Sequence, residues 1–291
     1  MVNEKARLLR DLIKAKNLVT GVGGRDAFDA KMIEKAGFDF VWSSSLCISA
    51  AYAVPDASLI SMSQYLEAAR AMNEVISIPI IADCDTGYGN VNNALYAGKL
   101  FEEAGIAAIS IEDKKFPKDN SLLEGGRQEL AVIQEFAGKI RAIKENQKSE
   151  DFMVIARVEA LIAGWGQEEA VKRAKAYIDA GADMILIHSK MKTPDEIIEF
   201  IKNWDSKTPL VLVPTTYPDL TEEAVIKLGK VKIMIYANQV LRAAVKATQQ
   251  LLAEIKASKS VKGVEKSIAS VSEIFELQGV NKMKEQEKKY L

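Results

Sequence analysis

Three carboxylates mark the places in this chain where chemistry is most readily imagined. Asp83 and Asp85 sit in Asp83-Cys84-Asp85-Thr86-Gly87-Tyr88-Gly89-Asn90 after one apolar run, and Glu112-Asp113 ends the next. In an extended segment Asp83 and Asp85 project to the same side, and with Glu112 on a neighbouring strand end the three can meet at one point. Unpaired, such groups repel strongly. A hard divalent cation carrying water ligands relieves the repulsion, and carboxylates without a Cys or His cluster favour Mg2+ over zinc. The plainer alternative is that these acids cap helices or pair with surface lysines. Arg157 and His188, the only histidine, end two further apolar runs. An arginine there can hold a carboxylate or phosphoryl group in bidentate fashion, and the histidine can donate to the same anion.

A long polar segment at about 113–131 contains Lys114-Lys115-Phe116-Pro117-Lys118-Asp119-Asn120, paired glycines and Arg127. As a loop it can close over a substrate, exclude water and bring Lys118 and Asn120 to a phosphoryl group; a solvated insertion is the simpler reading. Gly21-Val22-Gly23-Gly24 is weak evidence for phosphate binding, because the Lys-Ser/Thr of a P-loop is absent.

These residues need a scaffold that presents strand ends on one side. Eight short runs rich in Val, Ile and Phe read as strands: 18–22, 38–43, 78–83, 107–112, 152–158, 183–188, 210–215 and 231–236. Helix-length stretches separate most of them, such as 92–103, 168–180 and 194–204. Three strands follow an Ala-Gly pair, at Gly37, Gly105 and Gly181, where the glycine supplies the left-handed residue that stops a helix. Near-continuous apolar strands imply burial on both faces. Eight alternating units without a linker predict an α/β fold, a single (β/α)8 barrel over 1–291, with an open doubly wound sheet as the runner-up. Residues 239–291 add helices beyond the eighth strand. Within them 268–277 is apolar enough to dock on a partner surface, whereas 282–289 is a charged, solvated helix end.

The bulk numbers exclude several classes. The 291 residues are 48% hydrophobic with 17 Gly and 7 Pro, which is neither collagen-like nor disordered. Thirty-nine Lys and Arg against 40 Asp and Glu leave a net charge of -1, so no bulk attraction to nucleic acid or to an anionic membrane is expected. Cys47 and Cys84 are the only cysteines, too few for a disulfide framework. With no targeting segment at the N-terminus and no apolar run approaching about 18 residues, the expectation is a soluble cytoplasmic protein.

The same residues resemble the phosphoenolpyruvate mutase and isocitrate lyase superfamily, in blocks running nearly end to end. These include Gly37-Phe38, Ile48-Ser49-Ala50, 83–90, Glu112-Asp113-Lys114, Phe116-Pro117-Lys118, Arg157-Val158-Glu159-Ala160, Ile162-Ala163-Gly164-Trp165-Gly166, Ile187-His188-Ser189-Lys190 and Ser272-Glu273-Ile274-Phe275. The resemblance is strongest to the mutase branch. It implies Mg2+-dependent interconversion of phosphoenolpyruvate and phosphonopyruvate, small-molecule substrates, within a (β/α)8 barrel. Asp85 would anchor Mg2+, with Asp83 and Glu112 on its water ligands. Trp42, Ser44 and Leu46 would line the pyruvyl site, and Arg157, His188 and Asn120 would contact the phosphoryl group. Lys118 would belong to a gating loop and Asp56 would stand beside the reacting centre. The resemblance also implies a homo-oligomer, a dimer or a tetramer built from dimers, that exchanges the eighth helix around 239–255.

Two relatives within the superfamily catalyse other reactions. Phosphonopyruvate hydrolases tend to carry Thr where this chain has Asn120. The carbon-carbon lyases carry Lys-Lys-Cys-Gly-His where this chain has Lys114-Lys115-Phe116-Pro117-Lys118. Departures from the mutase pattern fall at Pro55, at Cys84, read as a small buried side chain, and at 123–127.

Overall fold

A computed structural model describes residues 3–291. They part into two compact units, divided between Gln239 and Val240 and taken separately below. The strands of the first unit are β1 (Val19–Gly24), β2 (Phe40–Ser43), β3 (Ile80–Asp83), β4 (Ala108–Glu112), β5 (Met153–Val158), β6 (Met184–Ile187), β7 (Leu210–Leu212) and β8 (Val231–Tyr236). All are parallel and pair in sequence order, and β8 returns to β1 with Val19 beside Ile233 and Val22 beside Tyr236. The sheet is therefore a closed (β/α)8 barrel, and the open doubly wound alternative is excluded.

The helices are α1 (Glu4–Ala15), α2 (Ala27–Lys35), α3 (Ser45–Ala51), α4 (Met62–Val75), α5 (Val91–Glu103), α6 (Ile133–Asn146), α7 (Gly166–Asp179), α8 (Asp195–Asn203) and α9 (Glu222–Leu228). Beyond them come α10 (Gln239–Ser258), α11 (Val271–Gln278) and α12 (Val280–Tyr290). The three Ala-Gly stops behave as expected: Gly37, Gly105 and Gly181 have φ of 85°, 76° and 103°. After each, the next N–H reaches back into the last helical turn, as when Ile106 N donates to Phe101 O at 3.1 Å and Ala182 N to Tyr177 O at 3.0 Å. That pair of left-handed residue and long return bond is how a helix end is satisfied while the chain turns into a strand.

The barrel interior is filled by Val19, Phe40, Trp42, Ile81, Met153, Ile155, Met184, Leu186, Val211 and Ile233, and Ala6 and Leu9 of α1 belong to the same cluster. Arg10 of α1 donates to Asp183 Oδ1 at 2.8 Å and Asn3 to Ile106 O at 2.8 Å, both just before strands begin. Helix α1 thus closes the amino end of the barrel and leaves the carboxyl ends of the strands open. Gly23 is a strand residue rather than part of a phosphate turn. A Cβ there would fall 1.9 Å from Ala237 O, so a side chain is excluded by the approach of the neighbouring chain.

In the second unit α10 runs for 20 residues without one that is buried, and Val245 and Leu252 stand exposed. Phe275 of α11 is exposed as well, and α12 carries no buried residue. Among the described residues no helix is long and apolar enough to cross a membrane.

Candidate active site

Barrel strands end where their side chains can face a common space, and the cavity at that end is lined by Trp42, Ser44, Leu46, Asp56, Asp83, Lys118, Asn120, Arg157 and His188. The other two residues expected at the site, Asp85 and Glu112, sit directly behind this lining. Asp85 Oδ1 is 2.8 Å from Lys118 Nζ, and Glu112 Oε2 is 3.3 Å from Arg157 Nε. All eleven candidate residues therefore come together. The enclosed space is small, about 50 Å³, enough to hold a compact polar solute only with adjustment of the loop above it.

The carboxylates converge differently from the extended-segment expectation. Strand β3 stops at Asp83, and Asp85 takes a left-handed φ of 48° in a tight turn closed by Gly87 N on Cys84 O at 2.9 Å. Asp85 N donates to Asp83 Oδ1 at 3.3 Å, and Asp85 O accepts from Glu112 N at 2.7 Å. Lys139 of α6 supports the turn from behind, donating to Thr86 O at 3.0 Å. Cys84 is fully buried, and burial pushes its thiol well above the usual range, which suits packing and not ligation.

Asp85 Oδ2 and Glu112 Oε1 are buried and accept no hydrogen bond among the described residues, while Asp85 Oδ1 and Glu112 Oε2 face Lys118 and Arg157. Buried carboxylate oxygens without donors call for a cation. No three His, Cys, Asp or Glu side chains among the described residues group closely enough to ligate one ion together. The three carboxylates expected to meet at one point therefore do not form a ligand cage by themselves. Burial pushes the Asp85 carboxyl up to about 7, against the pull of Lys118. Cation binding must remove that proton. Affinity for Mg2+ is therefore expected to fall about tenfold per pH unit below neutrality and to level off above it. Calorimetric titration across that range checks this, and a flat profile would remove Asp85 from the cation site.

The loop after β4 lies over the cavity. Lys118 Nζ is 3.2 Å from Asp56 Oδ2, and Asn120 Nδ2 donates to the same oxygen at 2.7 Å. Neighbouring carboxylates hold the Lys118 ammonium well above its ordinary range in spite of burial. Burial works against ionisation of Asp56, but Lys118 and Asn120 outweigh it and keep its carboxyl below the usual value. Ser45 joins the two halves of the site, donating to Asp83 Oδ2 at 2.8 Å and contacting Lys118 Nζ at 3.3 Å. Ser44 caps α3, whose first-turn N–H groups have no partner within the helix and lie beside the cavity.

On the opposite side Arg157, besides Glu112, is held by Glu159 Oε1 at 2.6 Å, Ser121 Oγ at 2.9 Å and His188 Nδ1 at 2.9 Å. Nδ1 faces the Arg157 guanidinium, which only donates, at 2.9 Å and the Glu159 carboxylate, which only accepts, at 3.2 Å; the shorter contact assigns the lone pair to Nδ1 and the His188 proton to Nε2. Burial and Arg157 lower the His188 pKa, keeping the ring neutral at pH 7. Glu159, fully buried, also meets His188 Nδ1 at 3.2 Å and Lys114 Nζ at 3.3 Å. Glu159, Ser121, Ser45 and Lys114 were not singled out from the sequence. Glu159 had a signal, since it follows Arg157 by two just past the end of a strand, where extended backbone would place both on one face.

Residues 9–256 match the sequence profile of the family described as phosphoenolpyruvate phosphomutase. The chain is 51% identical over 287 residues to a phosphonopyruvate hydrolase of Variovorax sp. (strain Pal2), covering 99% of each chain. A crystal structure of a phosphoenolpyruvate phosphomutase from Streptomyces platensis subsp. rosaceus superposes with a TM-score of 0.95 at 44% identity, covering 98% of this chain and 99% of that one. A phosphonopyruvate hydrolase solved with oxalate and Mg++ gives a TM-score of 0.93 at 49% identity over 98% and 99% of the two chains.

Proposed function

The chain belongs to the phosphoenolpyruvate phosphomutase family, and from that premise we propose that it interconverts phosphoenolpyruvate and phosphonopyruvate by intramolecular phosphoryl transfer, with Mg2+ as cofactor. The observation that carries this reading is Asn120, which the loop brings to 2.7 Å from Asp56 at the cavity. In one direction the C3–P bond breaks, its electron pair passes into the pyruvyl enolate, and the enolate oxygen takes the phosphoryl group. Asp85, with Asp83 and Glu112 beside it, would hold Mg2+, which would supply Lewis-acid stabilisation of the enolate.

The chain's own residues provide the rest. The first-turn N–H groups of α3, with Trp42, Ser44 and Leu46, orient the pyruvyl carboxylate. Arg157, the Nε2–H of His188 and the Asn120 amide hold the phosphoryl oxygens, which suits a loose transfer that asks for positioning and charge stabilisation more than for a nucleophile. Asp56, ionised and with Oδ1 free of hydrogen bonds among the described residues, stands beside the reacting centre. Lys118 and Asn120 fasten the loop to it and exclude the water that would otherwise capture the phosphoryl group.

Hydrolysis to pyruvate and phosphate is the second reading, favoured by the 51% identity to a protein named for that reaction. Phosphorus NMR of the protein with Mg2+ and phosphonopyruvate separates the two. Growth of a phosphoenolpyruvate signal is expected, and inorganic phosphate alone would assign the hydrolase. We also propose a homo-oligomer, a dimer or tetramer in which α10 packs on a neighbouring copy, since a 20-residue helix with no buried residue has apolar surface to cover. Light scattering tests it, and a monomeric mass at micromolar concentration would exclude it.

A further inference from the structure

A buried cluster lies behind the cavity, with none of its members lining it. Asp113 is completely buried. Its Oδ1 accepts from Glu159 N at 2.8 Å, and its Oδ2 from Arg173 Nη1 at 3.0 Å and Tyr177 OH at 2.7 Å. Its backbone is used equally: Asp113 N donates to Arg157 O at 3.1 Å and Asp113 O accepts from Ala131 N at 2.8 Å. Arg173 Nη1 also donates to Ala131 O at 3.1 Å. The two ends of the loop are thus clamped at one point, and Lys115 N on Glu129 O at 2.9 Å zips them further. The clamp is rigid. Trp165 lies 4.9 Å from the Arg173 guanidinium, and Phe136 packs edge-on to Tyr177 with ring centroids 4.6 Å apart.

The clamp grips the backbone on both sides of Val158, at Arg157 O and Glu159 N. Those two residues also receive the far end of the loop through Ser121 on Arg157 and Glu159, and Lys114, next to Asp113, reaches both Glu159 and Ser121. Base and tip of the loop therefore converge on the same three residues of β5 and the segment after it. We propose that Asp113, held by Arg173 and Tyr177, is a positioning residue that sets the closed loop in register with the Arg157 and His188 pair, and thereby governs how well water is kept from the transferring phosphoryl group. This rests on the mutase reading for its consequence, and on geometry alone for the coupling.

The test uses Tyr177→Phe, which removes one hydroxyl and no bulk, with Asp113→Asn beside it. The first readout is the partition of phosphonopyruvate between phosphoenolpyruvate and the hydrolytic products, in which water's oxygen takes the phosphoryl group and the enolate carbon takes a proton. This ratio does not depend on how much protein is folded. Losing a hydrogen bond to a charged carboxylate shifts a local equilibrium by about tenfold or more, so the hydrolytic share is expected to rise by about that factor in Tyr177→Phe. The second readout is tryptic cleavage at the exposed Lys115 and Arg127, with Mg2+ and oxalate present. Faster cleavage than in the wild type is expected. Unchanged partition and unchanged cleavage, whatever happens to the melting temperature, would overturn the proposal. Should the wild type form no phosphoenolpyruvate, the mutase reading falls and the cleavage rates alone decide the coupling.

Discussion

Asp56→Ala is expected to lower kcat by about three orders of magnitude or more while changing Mg2+ affinity little, in line with the loss of one preorganised charged group from a dry site. Asp56 belongs to neither the β3 turn nor the end of β4. It reaches the cavity from the segment after α3, where Oδ2 is taken by Lys118 and Asn120 and Oδ1 is left without a donor among the described residues. Alanine removes both the charge and the catch that holds the loop, so Asp56→Asn is the informative companion. Its amide oxygen can still accept from Asn120, but it carries no charge for Lys118. If Asn restores turnover, the catch is what matters; if it fails as badly as Ala, the charge is. Near-normal turnover in both variants would remove Asp56 from the mechanism. Steady-state kinetics and calorimetric Mg2+ titration measure the two halves of the prediction.

Glu159→Gln should damage both stability and phosphonate binding. The glutamate is surrounded by Arg157, Lys114 and the neutral His188, and the amide would leave the two cations buried without their counter-charge. Breaking a buried pair in this way costs about 3–5 kcal/mol. Burial opposes ionisation of Glu159, but Arg157 and Lys114 overcome it and hold the carboxyl well below its ordinary range. A depressed acid stabilises the fold fully above its unfolded value and loses that contribution as pH falls toward the folded one. The stability gap between wild type and Glu159→Gln should therefore persist at neutral pH and narrow in acid, as urea titrations at several pH values would show. Arg157 would lose its orientation as well, so KM for phosphonopyruvate should rise far more than the Kd for oxalate, which has no phosphoryl group. Equal effects on both ligands would argue that Glu159 is only structural.

The strand ends were legible because a parallel barrel leaves so little freedom. Once eight apolar runs alternate with helices, Asp83, Glu112, Arg157 and His188 must emerge on one side. The Ala-Gly stops at Gly37, Gly105 and Gly181 were readable for a local reason, since one residue type relieves a left-handed turn. What escaped was whatever depends on pairing between distant segments. Ser121 and Glu159 are 38 positions apart, and Ser45 and Lys118 are 73 apart; nothing in either neighbourhood names the partner. Asp85 shows a different failure. Its left-handed backbone is tolerated by aspartate but not demanded by it, so alternation along an extended strand could not foresee the turn that carries it. Helix α3 was also unannounced, a seven-residue helix whose start nonetheless supplies Ser44 and Leu46 to the cavity.

Helix α1 seals the amino end of the barrel with Ala6 and Leu9, and its polar side chains tie down the starts of neighbouring strands. Cohesion and chemistry are consequently assigned to opposite rims of the same cylinder. Replacements among the loops at the reactive rim can then alter which bond is made or broken without unfastening the floor beneath. A scaffold divided in this manner offers descent with changed reactivity by small steps, each one leaving a protein that still folds.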